Sequence, residues 1–228
     1  MSEHPLIAPI SAFVTKCMKN YDPSHNPAHI NRVVNLALRI LQSEEAKTPK
    51  PIDKLTVHLA ALLHDISDRK YLPQDSEQDA YTIPPHKLVE HILLTHGADA
   101  TLAQRVQTIV SHVSYTTECK DPSAIRRLIE DEGLVELAIV QDADRLDALG
   151  AIGIGRCFTF LGAKGRDMLK EGEEWEMENS IRHFGEKLEK LEGMMKTETG
   201  KKMARSRTER LVEFRRWWEE EIADISSN

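Results

Sequence analysis

The chain has 228 residues, of which 40% are apolar and 29% are charged, a balance typical of globular proteins with room for a sizeable core. The net charge of −7 at pH 7 argues against a general partner of nucleic-acid polymers or of anionic membranes, and no apolar stretch approaches the ~20 residues of a membrane span. Three widely spaced cysteines, and no visible secretory signal, favour a cytoplasmic protein.

Helices are predicted along most of the chain, because apolar residues recur with a period near 3.6. Asn26 and Pro27 have the character of an N-cap followed by a proline at the first helical position, and they mark the start of the second helix. Residues 67–85 are polar, contain three prolines and are predicted to form a surface loop. Apart from the helix that starts at Pro27, the predicted helices cover residues 6–20, 54–66, 86–96, 101–113, 123–131, 133–151, 180–196 and 199–223.

The region after the helix 133–151 is predicted to be less regular. Glycines between residues 150 and 155 are expected to loosen the chain before a short apolar stretch at 157–161. Residues 162–180 are predicted to form a charged loop. The two last helices are expected to pack on the N-terminal part of the chain rather than to form a second domain, with the candidate site inside residues 20–160.

Metal-ligand chemistry is concentrated at the end of the predicted helix 54–66. His64 and Asp65 follow a buried apolar stripe there, and an imidazole beside a carboxylate is costly in such a place unless the two are paired or bound to a cation. His29, in the first turn of an earlier helix, is a third residue of ligand type. Two imidazoles and two carboxylates suit Mn²⁺, Fe²⁺, Zn²⁺, Co²⁺ or Ni²⁺, and ligand type alone does not choose among them.

A second carboxylate is available from the cluster at residues 142–147. Asp142 and Asp144 cannot both face one metal if this segment is helical, because residues two apart point in roughly opposite directions. Asp144 and Asp147 share a face. We therefore expect Asp144 to be the ligand, and Asp147 either to lie behind the ligands or to bind the substrate.

Four motifs surround these residues, and short C-terminal segments extend the pattern. They are His29-Ile30-Asn31-Arg32-Val33, Leu63-His64-Asp65-Ile66-Ser67-Asp68-Arg69-Lys70-Tyr71, Gln141-Asp142-Ala143-Asp144-Arg145-Leu146-Asp147-Ala148 and Gly150-Ala151-Ile152-Gly153-Ile154-Gly155-Arg156, then His183-Phe184, Lys187-Leu188 and Lys201-Lys202-Met203-Ala204. A histidine, a His-Asp pair and a distant aspartate in this order resemble the HD-domain metal-dependent phosphohydrolases. The motifs are most similar to the small bacterial-type HD proteins that include nucleotide pyrophosphohydrolases. The resemblance covers nearly the whole chain and implies an all-α HD-domain helical bundle of residues 1–228 with additional C-terminal helices.

The resemblance also implies roles for individual residues. His29, His64, Asp65 and Asp144 would be the ligands of one divalent metal, with Mn²⁺ favoured and Mg²⁺, Co²⁺, Ni²⁺, Fe²⁺ or Zn²⁺ as alternatives. Asp68 takes the place of the acidic residue that orients or deprotonates the attacking water in related nucleotidases. The chemistry agrees, because such a site needs an unliganded base within one water of the metal.

Several further residues are predicted to contact the substrate. Lys70, Arg145 and Arg156 are cations that can hold phosphate oxygens, and Arg145, which directly follows the predicted ligand aspartate, is expected to take part in catalysis. His25 is expected to contact the substrate or to support His29. The related proteins usually have His-Asp and two aromatic residues before the ligand histidine, whereas this chain reads His-Asn-Pro-Ala, so aromatic residues expected near the substrate are missing.

The implied function is hydrolysis of a small phosphorylated substrate, and a nucleotide is favoured. Pyrophosphate release from a nucleoside triphosphate is the first choice, and hydrolysis of a nucleotide phosphomonoester is the nearest alternative. A di-iron oxygenase of HD fold is a second hypothesis, which requires further ligands such as His91 and His112. A third is a non-catalytic nucleotide-binding module, against which the intact ligand set argues. The pair Trp217-Trp218 is predicted to serve core packing or a homodimer interface.

Overall fold

The computed structural model describes residues 4–66, 83–169 and 171–226, so most of the predicted loop at 67–85 lies outside the described part of the chain. These residues form helices and short connections without a strand, and the predicted all-α class is confirmed. The α-helices are α1 (Ile7–Met18), α2 (Pro27–Glu45), α3 (Lys54–Leu63), α4 (Pro85–Thr95), α5 (Ala100–His112), α6 (Tyr115–Lys120), α7 (Pro122–Arg126), α8 (Val135–Asp147), α9 (Gly150–Lys164), α10 (Glu178–Glu186) and α11 (Glu198–Ser226).

Side-chain caps start the two helices that lead to the candidate site. The Oδ1 atom of Asn26 accepts hydrogen bonds from the backbone N–H groups of Ala28 at 3.0 Å and His29 at 3.3 Å, as predicted for the start of α2. Asp53 caps α3 in the same way, accepting from the N–H of Leu55 at 2.9 Å. The α3 helix then ends at Leu63, so that His64 and Asp65 lie at its C-terminal end.

A buried core holds α2, α3 and α8 together. The α2 helix packs against both α3 and α8, and α8 also packs against α3. In α3, Leu59, Ala60, Ala61 and Leu63 are all fully buried. Small alanines let neighbouring helices approach closely, and burial of the larger apolar side chains supplies most of the stabilisation. This packing brings the first turn of α2, the end of α3 and the C-terminal half of α8 to one place.

The glycines between residues 150 and 155 do not loosen the chain, and that prediction was wrong. They lie within α9, which begins after a two-residue turn that follows α8. Gly150 has a φ of +69°, a conformation in which a side chain is strained. A Cβ atom on Gly153 would lie 2.1 Å from the carbonyl oxygen of Ala148. The tight connection between the helices therefore requires glycine and outweighs its low helix propensity.

The C-terminal region is helical, with breaks that the sequence did not predict. The predicted helix 180–196 is instead α10 followed by a 3₁₀ segment, Leu188–Met194, because the backbone at Lys187 leaves the helical conformation. The predicted charged loop begins as the last turn of α9 and a second 3₁₀ segment, Gly165–Met168. Phe158 of α9 contacts the rings of Phe184 and Trp218, with centroids 6.2 and 5.8 Å away, so α9, α10 and α11 share a small aromatic core.

Asp142 joins α11 to α8. It is fully buried and accepts hydrogen bonds from the backbone N–H of Lys196 at 2.9 Å and from the N–H and hydroxyl of Thr197, each at 2.7 Å. Burial raises the pKa of Asp142, although these hydrogen bonds favour the charged carboxylate. A side chain of α8, the helix that also carries Asp144, therefore holds the start of α11 in place.

Trp217 is 50% exposed, and the homodimer that its pair with Trp218 suggested stays a prediction. In the described ranges, no single helix has the length and apolar character to cross a membrane, and only the bent pair formed by α8 and the segment Gly150–Met168 meets that test jointly.

Candidate metal centre

Four side chains of ligand type converge where α2, α3 and α8 meet. The Nε2 atoms of His29 and His64 are 3.2 Å apart. The Oδ2 atom of Asp65 lies 3.4 Å from Nε2 of His29 and 3.5 Å from Nε2 of His64. The Oδ1 atom of Asp144 lies 3.8 and 3.6 Å from the same two nitrogens. The sequence predicted this set of four residues, and the fold brings them together.

These separations match the edges of a metal coordination sphere. Ligand atoms about 2.1 Å from one ion lie about 3.0 Å apart in an octahedron and about 3.4 Å apart in a tetrahedron. The observed separations of 3.2 to 3.6 Å, and 3.8 Å at most, are close to both values. One cation could therefore bind His29, His64 and Asp65 together, and Asp144 lies beside the two histidines, close enough to join after a side-chain movement.

The hydrogen bonds of the two imidazoles favour metal binding. Nδ1 of His29 donates to Oδ2 of Asp147 at 2.8 Å, and Nδ1 of His64 donates to the carbonyl oxygen of Ala61 at 2.9 Å. With both protons on Nδ1, the two Nε2 atoms present lone pairs to each other. Two lone pairs 3.2 Å apart repel, and a cation between them turns the repulsion into two bonds.

Asp65 gives an independent indication that this site suits a cation. Its Oδ2 atom is buried, and the described part of the chain offers it no hydrogen-bond partner. Although burial raises the pKa of this carboxyl group, positive charge at the position where His64 and His29 meet lowers it well below its usual range. A charged carboxylate oxygen that is buried without a donor costs free energy, and a metal ion would remove that cost. The four residues therefore fit a divalent metal.

Asp147 lies behind the ligands and does not face the solvent. It is 1% exposed, and its two oxygens accept hydrogen bonds from His29 and from both Nε and Nη2 of Arg32, at 2.7 and 3.0 Å. Arg156 lies 3.1 Å from the same carboxylate. Although burial raises the pKa of Asp147, these partners lower it to below its usual range. Of the two predicted roles, the geometry supports orientation of His29 rather than contact with the substrate.

Arg156 is engaged in the same network. Its Nε donates to the carbonyl oxygen of Ser24 at 2.9 Å, and the side chain is 14% exposed. It thus ties the loop before α2 to Asp147. The predicted direct contact of Arg156 with phosphate finds less support than this connection.

The placement of Arg145 argues against its predicted catalytic role. The residue is 3% exposed, and its guanidinium group donates to a carboxylate oxygen of Glu118 at 2.5 Å and to the carbonyl oxygen of Met194 at 3.0 Å. Lys196 binds the same Glu118 at 2.8 Å. Arg145 directly follows Asp144, but successive residues of a helix point about 100° apart, so the two side chains reach different surroundings.

His25 lies beside His29, and its predicted contact with the substrate stays a prediction. Its ring centroid is 5.9 Å from that of His29 and 5.5 Å from that of Phe160. Nδ1 of His25 is 2.7 Å from the hydroxyl of Ser24. Burial is the main cause that lowers the pKa of His25 to about 4. Asp65 and Asp22 oppose it, and Arg156 and His29 add to it, so the ring is neutral near pH 7. The predicted residues Asp68 and Lys70 lie outside the described residues.

The histidines that a second metal would need are elsewhere. His91 is exposed, and Nδ1 of His112 donates to the carbonyl oxygen of Thr108 at 2.7 Å. In the ranges 4–66, 83–169 and 171–226, the group of metal-ligating side chains within mutual reach comprises His29, His64 and Asp65, with Asp144 beside them. Neither His91 nor His112 joins it.

Comparison with known proteins defines the class of this protein. Residues 28–149 match the HD domain family. The chain therefore belongs to the HD family and is a metal-dependent phosphohydrolase with an all-α fold. It is 32% identical to the protein YpgQ of Bacillus subtilis, over 96% of this chain and 94% of that protein.

Solved structures extend the comparison to three dimensions. The crystal structure of Bacillus subtilis YpgQ in complex with ADP has a TM-score of 0.67 at 31% identity, covering 95% of this chain and 97% of that one. An HD-superfamily hydrolase from Bacillus thuringiensis has a TM-score of 0.64 at 29% identity, covering 95% and 96%. A protein from Lactobacillus plantarum has a TM-score of 0.71 at 26% identity, covering 98% and 100%.

Sequence reasoning missed two residues next to the site. Arg32 holds Asp147, and its position three residues after His29, on the same helix face, is a signal that could have found it. Phe160 contacts His25, but nothing local in the sequence distinguishes it from an ordinary core aromatic.

Proposed function

We propose that this protein hydrolyses a nucleotide at the metal centre, and that it releases pyrophosphate from a nucleoside triphosphate. The observation that carries the proposal is the convergence of four ligand-type side chains: Asp65 and Asp144 each place a carboxylate oxygen within 3.8 Å of the Nε2 atoms of both His29 and His64. The nucleotide is supported by the YpgQ structure, which contains ADP, and by the sequence motifs. The reaction consumes one water and yields a nucleoside monophosphate and pyrophosphate.

The proposal assigns the four residues as ligands of one divalent ion, with Mn²⁺ favoured. A divalent ion at this place lowers the pKa of a bound water toward neutrality and polarises a phosphoryl oxygen. The imidazoles of His29 and His64 are each 1% exposed, whereas the side chains of Asp65 and Asp144 are 25% and 30% exposed. Substrate would therefore approach from the carboxylate side.

The other residues have positioning or contact roles in this proposal. Asp147 keeps the proton of His29 on Nδ1, and Arg32 holds Asp147 in place. Asp68, on the strength of the sequence motif, receives the proton of the attacking water. Lys70 and His25 remain the proposed substrate contacts, and the N–H of the neutral His25 ring can donate a hydrogen bond to a phosphate oxygen.

A product assay tests the reaction. The purified protein is incubated with Mn²⁺ and a panel of nucleoside tri-, di- and monophosphates, and pyrophosphate and orthophosphate are measured separately. We expect pyrophosphate and a nucleoside monophosphate from triphosphates. Orthophosphate released from monophosphates would show a phosphomonoesterase instead, and no release from any nucleotide would refute the nucleotide assignment.

Two variants separate metal binding from water activation. Asp65→Asn should lose both Mn²⁺ binding and turnover, whereas Asp68→Asn should keep Mn²⁺ binding and lose turnover by about 10²- to 10⁴-fold, the usual contribution of a general base. Asp224→Asn, at an exposed position of α11, is the matched control. Full activity of Asp68→Asn would remove this residue from the mechanism.

A further inference from the structure

A cavity of about 210 Å³ lies between α9, the 3₁₀ segment Gly165–Met168 and α10. It is smaller than the several hundred Å³ of a site that encloses a whole drug-sized ligand, and it suits a single ring system. Neither the metal ligands nor their hydrogen-bond partners line it, so the reaction described above leaves it unused.

Phe160 connects this cavity to the surroundings of the metal centre. Its ring contacts His25, whose ring in turn contacts the ligand His29. Arg156 lies one helical turn before Phe160 on the side of α9 that faces Asp147. Phe160 also lines the cavity, together with Cys157 and Leu161 on the neighbouring side of the helix. Only two ring contacts therefore separate the cavity from the ligand set.

The cavity has one apolar side and one polar side. Phe160, Leu161 and Met168 supply the apolar side, from α9 and the segment after it. The uncharged polar residues Asn179 and His183 face the cavity from α10. The charged residues Glu173, Arg182 and Glu186 also line it, and Arg182 pairs with Glu173 at 3.5 Å. A flat heteroaromatic ring has the matching character, with apolar faces and a polar edge, and the ring of Phe160 offers a surface on which it can stack.

Asn179 and His183 can form hydrogen bonds with the polar edge of such a ring. Oδ1 of Asn179 accepts a hydrogen bond from the backbone N–H of Glu176 at 3.0 Å, which leaves its amide nitrogen to donate into the cavity. Burial and the neighbouring Lys187 lower the pKa of His183, so its ring is neutral near pH 7 and offers one donor and one acceptor. These groups complement the mixed donors and acceptors of a nucleobase.

We infer that this cavity receives the base of the nucleotide whose phosphates lie at the metal centre, an inference that rests on the function proposed above. In this arrangement the base stacks near Phe160, its polar edge meets Asn179 and His183, and the sugar passes beside His25. Phe160 provides an aromatic surface from α9, beside His25.

Kinetics with and without a base test the inference. The Mn²⁺-loaded protein is assayed with the preferred nucleoside triphosphate and with inorganic tripolyphosphate, which has phosphoanhydrides but no base. Tripolyphosphate is followed as substrate or, if it is not turned over, as a competitive inhibitor. We expect Asn179→Ala and His183→Phe each to raise the KM for the nucleotide by about three- to tenfold, and to leave the behaviour toward tripolyphosphate unchanged.

Controls keep the result specific to the cavity. His86→Ala, at an exposed position of α4, should change neither the KM for the nucleotide nor the behaviour toward tripolyphosphate. His183→Gln keeps a donor and an acceptor and should therefore have a lower KM for the nucleotide than His183→Phe. Thermal unfolding of each variant tests whether it is folded. Asn179→Ala is the milder of the two substitutions, because Asn179 is half-buried. Unchanged nucleotide KM in both variants, or an equal loss for tripolyphosphate, would overturn the inference while the proposed function stands. A wild-type protein that turns over no nucleotide would overturn the proposed function first.

Discussion

Asp147 of α8 accepts the Nδ1 proton of His29 at 2.8 Å, although 118 positions separate the two residues in the chain. Arg32 holds the same carboxylate through two nitrogens. This contact determines which nitrogen of His29 faces the metal centre. A buried carboxylate thus acts on the metal site without touching it.

Replacing Asp147 by Asn should weaken metal binding. The amide keeps the volume, but it loses the charge that holds the proton on Nδ1 of His29 and turns a donor toward Arg32 or His29. We expect the Kd for Mn²⁺ to rise about 10- to 100-fold, as measured by isothermal titration calorimetry. Asp224→Asn should bind like the wild type, and an unchanged Kd for Asp147→Asn would contradict the positioning role.

Metal should stabilise the folded chain, because the ligand set exists only in the folded state. At a free Mn²⁺ concentration of about 100 times Kd, the gain is about 2.7 kcal/mol, which corresponds to a rise in Tm of about 5–10 °C for a chain of this size. Differential scanning calorimetry with Mn²⁺ or with EDTA measures it. Asp65→Ala should show the same Tm in both conditions; a retained metal-dependent rise in this variant would exclude Asp65 as a ligand.

The ion pair between Glu118 and Arg145 should make stability depend on pH. Burial raises the pKa of Glu118, but Lys196 and Arg145 together lower it by more than burial raises it. The pKa in the folded protein therefore lies below the ordinary value of 4.5. The stabilising contribution is therefore present above about pH 4.5 and is lost as the pH falls through the folded pKa. Glu118→Gln should cost about 3 kcal/mol near pH 7, since Arg145 stays buried without its charged partner.

Urea unfolding of the wild type and of Glu118→Gln, at several pH values, measures this contribution. The difference in free energy of unfolding should shrink as the pH falls through the lowered pKa of Glu118 in the folded protein, because the protonated wild-type side chain then resembles Gln. Glu221→Gln, at an exposed position, should change the stability little at any pH. A difference that is independent of pH would show that shape, not charge, is what Glu118 supplies.

Two glycine substitutions should change stability in opposite directions. A Cβ atom on Gly200 would lie 2.2 Å from Oδ2 of Asp142 and 2.8 Å from the hydroxyl of Thr197, so Gly200→Ala should break the contact that starts α11 and cost about 1–3 kcal/mol. Gly162, inside α9, has open space around it, and Gly162→Ala should stabilise by about 0.5–1 kcal/mol. Urea unfolding compares them, and equal signs would contradict the argument.

The sequence by itself determined the helical class and the set of residues that meets at the metal centre. Periodic apolar residues predicted most helices, and His29, His64, Asp65 and Asp144 were identifiable from ligand type, helix-face geometry and motif order. These signals are local or belong to a family pattern. They can be recognised in the sequence without knowing which segments pack against each helix.

Only the tertiary structure decided how the neighbouring residues of α8 divide their roles. Asp142 accepts hydrogen bonds from the residues just before α11, and Asp147 accepts one from His29 and orients it. Arg145 forms an ion pair with Glu118 and does not reach the metal centre. Helix periodicity gives the direction of each side chain but not its partner, and these partners come from segments 27 to 118 positions away. Gly153 is another case that tertiary packing decides. It lies within a helix despite the low helix propensity of glycine, because its close approach to Ala148 leaves no room for a Cβ atom.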